Sequence, residues 1–111
     1  MTAEKNFYTL GIRYFNEHID MDAENLLDSS QAIEEEYGKD AKWDYIRGIT
    51  IAMRYFSDGI DFVQDNDYLS KEEIFAKAEQ EQGNNEEETR ISFMKGVESE
   101  IINIKEQKQS K

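Results

Sequence analysis

The sequence predicts an all-α fold of about five helices, arranged as consecutive antiparallel hairpins in a bundle or a short solenoid-like array. Proline is absent from the 111 residues, so no segment is excluded from a helix interior on that ground. Apolar residues recur at helical spacing along most of the chain. Residues 9–21 also recur as residues 50–62, with six identities at an offset of 41, and more faintly as residues 91–103. A period near 40 is typical of stacked helix-turn-helix units, although any two amphipathic helices match to some degree in register.

The first two helices are predicted over residues 2–19 and 23–37. In the first, one face carries every third or fourth residue, namely Phe7, Leu10, Gly11, Tyr14, Phe15 and His18. Asp22 has the side chain of an N-cap for the second helix, and Met21 and Leu26 are spaced as a hydrophobic staple around it. Gly38 is placed to close that helix in the left-handed conformation.

The third helix is predicted to be the longest, from the N-cap candidate Asp40 to about Gln64. Its apolar positions keep helical spacing throughout and are expected to form the centre of the core: Trp43, Ile46, Ile49, Thr50, Met53, Phe56, Ile60 and Val63. Asp58-Gly59 resembles a hairpin turn, but the apolar spacing continues beyond it. The pattern therefore favours one uninterrupted helix.

The fourth helix has the most specific local signal in the chain. Ser70 and Glu73 have the spacing of a capping box, so a short helix is predicted from Lys71 to about Glu81. A loop is predicted over residues 83–85, and the last helix follows it. The N-terminal end of a helix is positive and favours the acidic residues found there, Glu86, Glu87 and Glu88. We expect this last helix to fray after residue 107.

Along the last helix, apolar residues alternate in steps of three and four, as in the seam of a coiled coil. The candidate seam for self-association consists of Met94, Val97, Ile101 and Ile104. It leads to one hypothesis of function, a homodimeric or larger scaffold protein that assembles through this helix.

The length predicts a single helical domain over residues 1–107 with a frayed tail at 108–111. Cysteine is absent, which excludes disulfides and thiolate metal sites and favours a reducing compartment. No apolar run is long enough to span a bilayer, and the first ten residues lack the apolar core of a signal peptide. We therefore expect a cytoplasmic protein that does not enter membranes.

The chain contains no recognisable catalytic set, cofactor motif or metal-ligand set. Residues 65–73 resemble the second half of a calcium-binding loop, but with Glu73 as its last position Asp67 occupies the place that requires glycine. The single histidine, His18, lacks the Glu-x-x-His spacing of di-metal bundles, and no Gly-x-Ser-x-Gly motif is present. These observations predict a protein that is not an enzyme and needs no cofactor or metal.

The net charge of −12 is concentrated near the N-terminus, since residues 1–38 hold nine acidic against two basic residues. Such a charge disfavours direct binding of nucleic acids and anionic membranes and favours a basic protein partner. The candidate partner-binding residues are the acids on and just before the second helix: Glu17, Asp20, Glu24, Asp28, Glu34, Glu35 and Glu36. The core side of that helix is predicted at Leu27, Ile33 and Tyr37.

Glu24, Asp28 and Glu35 share one face of the second helix, and four helical residues rise about 6 Å, close to the phosphate interval of an extended strand. The leading hypothesis is therefore a non-enzymatic inhibitor or adaptor of a basic, nucleic-acid-acting protein. Mimicry of nucleic acid is one way in which it would bind such a partner. The analogy is with two classes of protein. The first are the anti-CRISPR-like inhibitors with which phages and mobile elements block nucleic-acid enzymes, and the second are the immunity proteins that neutralise basic nucleases. An ordinary solvated face is the alternative explanation.

Overall fold

The computed structural model describes residues 6–19, 22–83 and 86–109, with side chains for all of these except Ala23 and residues 105–109. These residues form five α-helices and no strand: α1 (Phe7–Glu17), α2 (Ala23–Tyr37), α3 (Lys39–Asp65), α4 (Lys71–Glu81) and α5 (Glu87–Gln109). The protein is an all-α helical protein, as predicted. Its chain divides into two compact units, residues 1–52 and 53–111, here called unit 1 and unit 2. Helix α3 contributes its first part to unit 1 and its second part to unit 2.

Helices α2 and α4 have the boundaries that their caps predicted. The Asp22 side chain accepts a hydrogen bond from the backbone N–H of Asn25. Ser70 and Glu73 form the complete capping box, in which each side chain accepts from the backbone N–H of the other residue. Met21, the predicted staple residue, lies outside the described residues.

Helix α1 is shorter than predicted. Asn6 is its N-cap and accepts from the backbone N–H of Thr9 at 3.0 Å, so the helix begins at Phe7. It ends at Glu17, and His18 follows as the C-cap, with its backbone N–H donating to the carbonyls of the preceding turn. Residues 2–5, which the prediction included, lie outside the described part of the chain.

Helix α3 begins at Lys39, directly after Gly38, so Asp40 lies in its first turn and is not its N-cap. Gly38 has φ 98° and ψ 177°, a positive φ as predicted but with extended ψ, a combination open almost only to glycine. Its N–H donates to Glu34 of α2, and its carbonyl accepts from Lys42 of α3. One glycine thus links the two helices.

Helix α5 begins at Glu87 with two acids in its first turn. It continues to Gln109, so fraying at 108–109 is not confirmed, while residues 110–111 lie outside the described residues. Of the predicted loop before it, Asn84 and Asn85 also lie outside them.

The core of unit 1 forms where α1 and α3 contact each other closely. A Cβ atom added to Gly48 would lie 2.0 Å from the carbonyl oxygen of Tyr8, and one added to Gly11 would lie 2.1 Å from that of Tyr45. The backbones can approach so closely only because both positions are glycine. Around this contact the buried apolar residues are Ile12, Phe15, Ala41, Tyr45, Ile49 and Ala52.

The core of unit 2 contains the same kind of contact between α3 and α5. A Cβ atom on Gly59 would lie 2.2 Å from the carbonyl oxygen of Phe93, and one on Gly96 would lie 2.0 Å from that of Phe56. The buried apolar residues come from α3, α4 and α5 and are Phe62, Val63, Ile74, Ala78, Phe93 and Val97.

Some residues of α3 predicted to be core residues are exposed. Trp43 is 59% exposed, Met53 is half exposed, and Thr50 is exposed, with its hydroxyl donating to the carbonyl of Ile46. The buried line in the unit 1 part of α3 instead follows steps of four, three and four through Ala41, Tyr45, Gly48 and Ala52. Alanine and glycine dominate this line, so a search for large apolar residues at helical spacing selected a neighbouring face.

Residues 48 positions apart have the same structural roles in unit 1 and unit 2. For example, α4 begins 48 residues after α2, and α5 begins 48 residues after α3. The corresponding residues are the helix starts Ala23 and Lys71, the helix starts Lys39 and Glu87, the N-caps Asp22 and Ser70, the glycines Gly11 and Gly59, and the glycines Gly48 and Gly96.

Side-chain contacts follow the same offset. The ring centroids of Tyr14 and Tyr45 lie 5.9 Å apart in unit 1, and those of their counterparts Phe62 and Phe93 lie 5.6 Å apart in unit 2. His18 follows α1 in unit 1, and its ring nitrogen lies 2.9 Å from the carbonyl oxygen of Tyr14, four residues earlier. Asn66 follows α3 in unit 2, and its side-chain nitrogen lies 2.8 Å from the carbonyl oxygen of Phe62, also four residues earlier. We conclude that the chain contains a structural duplication with an offset of 48.

The predicted repeat period of 41 is not confirmed. That period pairs Phe15 with Phe56, but Phe15 is buried whereas Phe56 is only partly buried. The offset of 48 pairs Phe15 with Val63, both buried, and Phe56 with Tyr8, both partly buried. Burial therefore supports 48.

Candidate functional site

Helix α2 carries the acidic residues predicted to bind a partner, and its inward side is held against α3. Ser29 shares a hydrogen bond with the buried hydroxyl of Tyr45, and Lys42 forms a salt bridge of 2.9 Å with Glu34. Ser30, on the same side of the helix, is only 2% exposed. These contacts determine which face of α2 points to solvent.

The outer face of α2 is a line of three carboxylates. Glu24, Asp28 and Glu35 are all exposed, and their spacings of four and seven residues place them one above another on the helix. The described residues provide no salt-bridge partner for any of the three. We call Glu24, Asp28 and Glu35 the acidic line.

The other predicted acids have different surroundings. Glu34 is partly buried and paired with Lys42, so its charge is already compensated. Glu36 is exposed on α2 beside the acidic line, and Glu17 is exposed at the end of α1. Asp20 lies outside the described residues. The structure therefore brings three of the seven predicted residues into one line, with Glu36 beside them.

The predicted core side of α2 needs correction. Leu27 is 53% exposed, whereas Ile33 is partly buried and the ring of Tyr37 packs against that of Phe7 on α1, with centroids 4.9 Å apart. The inward line is Leu26, Ser30, Ile33 and Tyr37, so only Leu27 was wrongly placed, turned by roughly 100° from Leu26. Ser30 was missed because a serine gives no apolar signal.

Trp43 is a surface residue that the sequence led us to place in the core. Its ring lies 5.9 Å from the Lys42 ammonium, and the same ammonium binds Glu34 on α2. The exposed tryptophan is thus connected to α2 through one shared lysine. Large aromatic side chains at a protein surface are among the strongest contributors to binding.

Tyr45 is a buried tyrosine that stays protonated at neutral pH. Burial raises the pKa of its hydroxyl above the usual 10.0, the hydrogen bond with Ser29 acts in the opposite direction, and the neighbouring Tyr14 raises it further. A neutral hydroxyl held by Ser29 links α2 to α3, and we assign it a structural role.

The predicted self-association seam on α5 lies largely against the core of its own unit. Val97 is fully buried, and Met94, Ile101 and Ile104 are partly buried and packed against the same core. Val97 consequently has no surface to offer a second copy. The four residues form an apolar line that packs within unit 2.

In the described part of the chain, no helix has the length and apolar composition needed to cross a membrane. The described side chains also contain no group of three or more His, Cys, Asp or Glu residues placed to hold a metal ion. Comparisons of the chain with protein-family models, with curated proteins and with solved structures gave no match.

Proposed function

We propose that the protein is a non-enzymatic binding protein that attracts a basic protein partner through the acidic line of α2. The partner class that fits best is a protein that acts on nucleic acid, because such proteins carry the basic surface that an acidic helix complements. In this proposal the protein is an inhibitor or adaptor, and the acidic line takes the place of the phosphates that the partner normally contacts.

The observation that supports the proposal most strongly is the exposure of all three acidic-line carboxylates without a salt-bridge partner among the described residues. Uncompensated charge of one sign increases association rates with an oppositely charged protein. Trp43, exposed and connected to α2 through Lys42, supplies the apolar contact that charge alone lacks.

The test begins with a pull-down from the source cell by three forms of the full chain. The first is the parent, and the second replaces Glu24, Asp28 and Glu35 with Lys. The third replaces Asp61, Glu79 and Glu98 with Lys, since these three acids are exposed in unit 2 and give the same change in net charge. We expect a basic protein that is retained by the parent and by the unit 2 variant but not by the α2 variant.

Association rates with that protein are then measured against salt concentration, with circular dichroism to confirm folding. We expect the α2 variant to associate at least tenfold more slowly at low salt, and the difference to shrink as salt screens the charges. If the α2 variant and the parent associate equally fast at low salt, the acidic line has no role in binding. Equal slowing by both variants would instead indicate an effect of net charge alone.

A homo-oligomeric scaffold remains the alternative function, but the structure gives it less support. Val97 is buried within unit 2, and only part of the seam surface is accessible. Sedimentation of the parent and of an Ile102→Glu variant tests it, because Ile102 is the exposed apolar residue next to the seam. Self-association that this variant abolishes would favour the scaffold.

A further inference from the structure

Glu100 on α5 is a buried carboxylate whose hydrogen-bond partners among the described side chains are neutral. It is only 7% exposed. Its Oε2 accepts from Gln64 Nε2 at 2.6 Å, and its Oε1 accepts from Asn103 Nδ2 at 3.0 Å. Each amide donates one hydrogen bond to the carboxylate, but neither amide carries the positive charge that normally accompanies a buried carboxylate.

The duplication offers a comparison for this position in which the carboxylate is absent. With the offset of 48, the counterpart of Glu100 is Ala52, which is completely buried in unit 1. An alanine therefore fills the equivalent place in the helix packing. Gln64 and Asn103 are themselves exposed, so their amides could bond to water if Glu100 were absent. The carboxylate carries a desolvation cost that unit 1 avoids by having alanine at the equivalent position.

Glu100 also forms part of the wall of a surface cavity of about 490 Å³. The cavity is within unit 2 and combines aliphatic and polar side chains; its lining residues are Ile60, Ser99, Glu100, Ile102 and Asn103. Its volume is in the range of small-ligand sites. Two isoleucines can cover the methylene groups of a long side chain whose charged end reaches the carboxylate.

We propose that this cavity is a binding site for an arginine side chain of a protein partner. The guanidinium group forms two parallel hydrogen bonds with a carboxylate, and each oxygen of Glu100 has one remaining lone-pair direction besides its amide donor. Unit 2 holds 14 acidic against 8 basic residues, so its field also attracts a cation. The site is distinct from the acidic line of α2, and its test requires no knowledge of the natural partner.

The experiment is an NMR titration of the full-length ¹⁵N-labelled chain with N-acetyl-arginine amide. The side-chain amide signals of Gln64 and Asn103 report directly on the Glu100 carboxylate. N-acetyl-citrulline amide, which has the same shape without the charge, is the ligand control. Glu100→Gln removes the charge from the site, and Glu98→Gln removes the same charge from an exposed position on the same helix.

We expect saturable shifts of both signals with the arginine ligand, and at least tenfold weaker binding for citrulline and for Glu100→Gln, with Glu98→Gln unchanged. Glu100→Ala is expected to melt at the same or a higher temperature than the parent. The proposal is overturned if the parent shows no saturable shift, if citrulline or Glu100→Gln binds equally well, or if Glu100→Ala melts well below the parent. The last result would mean that the carboxylate serves the fold.

Discussion

Asp22 and Ser70 stabilise two helices through the same contact. Each side chain accepts a hydrogen bond from the backbone N–H three residues later, at 2.8 Å for Asp22 and 3.2 Å for Ser70. A helix N-terminus leaves four N–H groups without helical partners, and an N-cap satisfies one of them. Both residues are exposed and lie at helix ends, so their substitution affects little besides the cap.

We predict that Asp22→Ala and Ser70→Ala each lower the free energy of unfolding by about 1 kcal/mol. The measurement is urea unfolding followed by circular dichroism. Ser70→Gly and Asp22→Gly are the controls, since glycine is a tolerated N-cap and is expected to cost only a few tenths of that amount. A loss with glycine as large as that with alanine would contradict the assignment of these residues as caps.

The structure and the sequence agree at two helix starts where one side chain satisfies one backbone group, although Asp40 was wrongly assigned as a third cap. Capping requires only neighbours in the chain, so the starts of α2 and α4 were predictable. The exposure of Trp43 was not, because burial depends on which face of α3 meets α1. Nor could the amide partners of Glu100 be predicted, since Gln64 is 36 residues away in sequence.

The helix contacts in both units depend on glycine. In each unit two helices contact each other at a pair of glycines whose added Cβ atoms would come within 2.2 Å of a backbone carbonyl oxygen of the other helix. Backbone atoms at the centre of two packed helices cannot move aside as a flexible side chain can. A search for apolar periodicity overlooks these positions, which explains why the sequence predicted the helices but not their contacts.

We predict that Gly48→Ala and Gly96→Ala destabilise the protein by about 1–3 kcal/mol. The sign is informative, because alanine is intrinsically better than glycine inside a helix by about 1 kcal/mol. Without the close contact, both variants would be more stable than the parent. Urea unfolding measures the change.

Gly83→Ala is the control for the glycine variants, since a Cβ there would meet its nearest neighbours at 3.4 and 3.7 Å, which are ordinary contact distances. We expect a change of less than about 1 kcal/mol. Increased stability of both Gly48→Ala and Gly96→Ala would show that the helices do not contact each other at these positions.

The duplication links the two units while leaving them chemically different. Counterparts 48 residues apart keep the glycine contacts, the aromatic pair and the N-cap, yet Ala52 corresponds to Glu100 and His18 to Asn66. The complete acidic line is also specific to unit 1, because only Glu24 has an acidic counterpart, Glu72, whereas Asp28 corresponds to Ala76 and Glu35 to Gly83. Features shared by both units serve the fold, and the two proposed binding sites lie where the units differ.

The sequence contains a signal for this offset that the repeat at 41 obscured. Gly-Ile recurs at residues 11–12 and 59–60, and a basic residue followed by glycine and a β-branched residue recurs at 47–49 and 95–97. The repeat at 41 aligned Arg-Tyr-Phe segments, whose phenylalanines differ in burial between the two copies. Identity of large residues was therefore a poorer guide than the spacing of glycines.

Three truncations separate the two offsets. With an offset of 48, Phe15 corresponds to Val63, and both are buried, whereas Phe56 corresponds to the partly buried Tyr8. We predict that Phe15→Ala costs about 3–5 kcal/mol and that Val63→Ala costs about 2 kcal/mol. Phe56→Ala is expected to cost at least about 1 kcal/mol less than Phe15→Ala, because part of its ring already contacts water.

Urea unfolding gives all three values, and Phe→Leu variants replace any alanine variant that does not fold. Equal losses at Phe15 and Phe56 would support the offset of 41 and remove the basis for comparing Glu100 with Ala52.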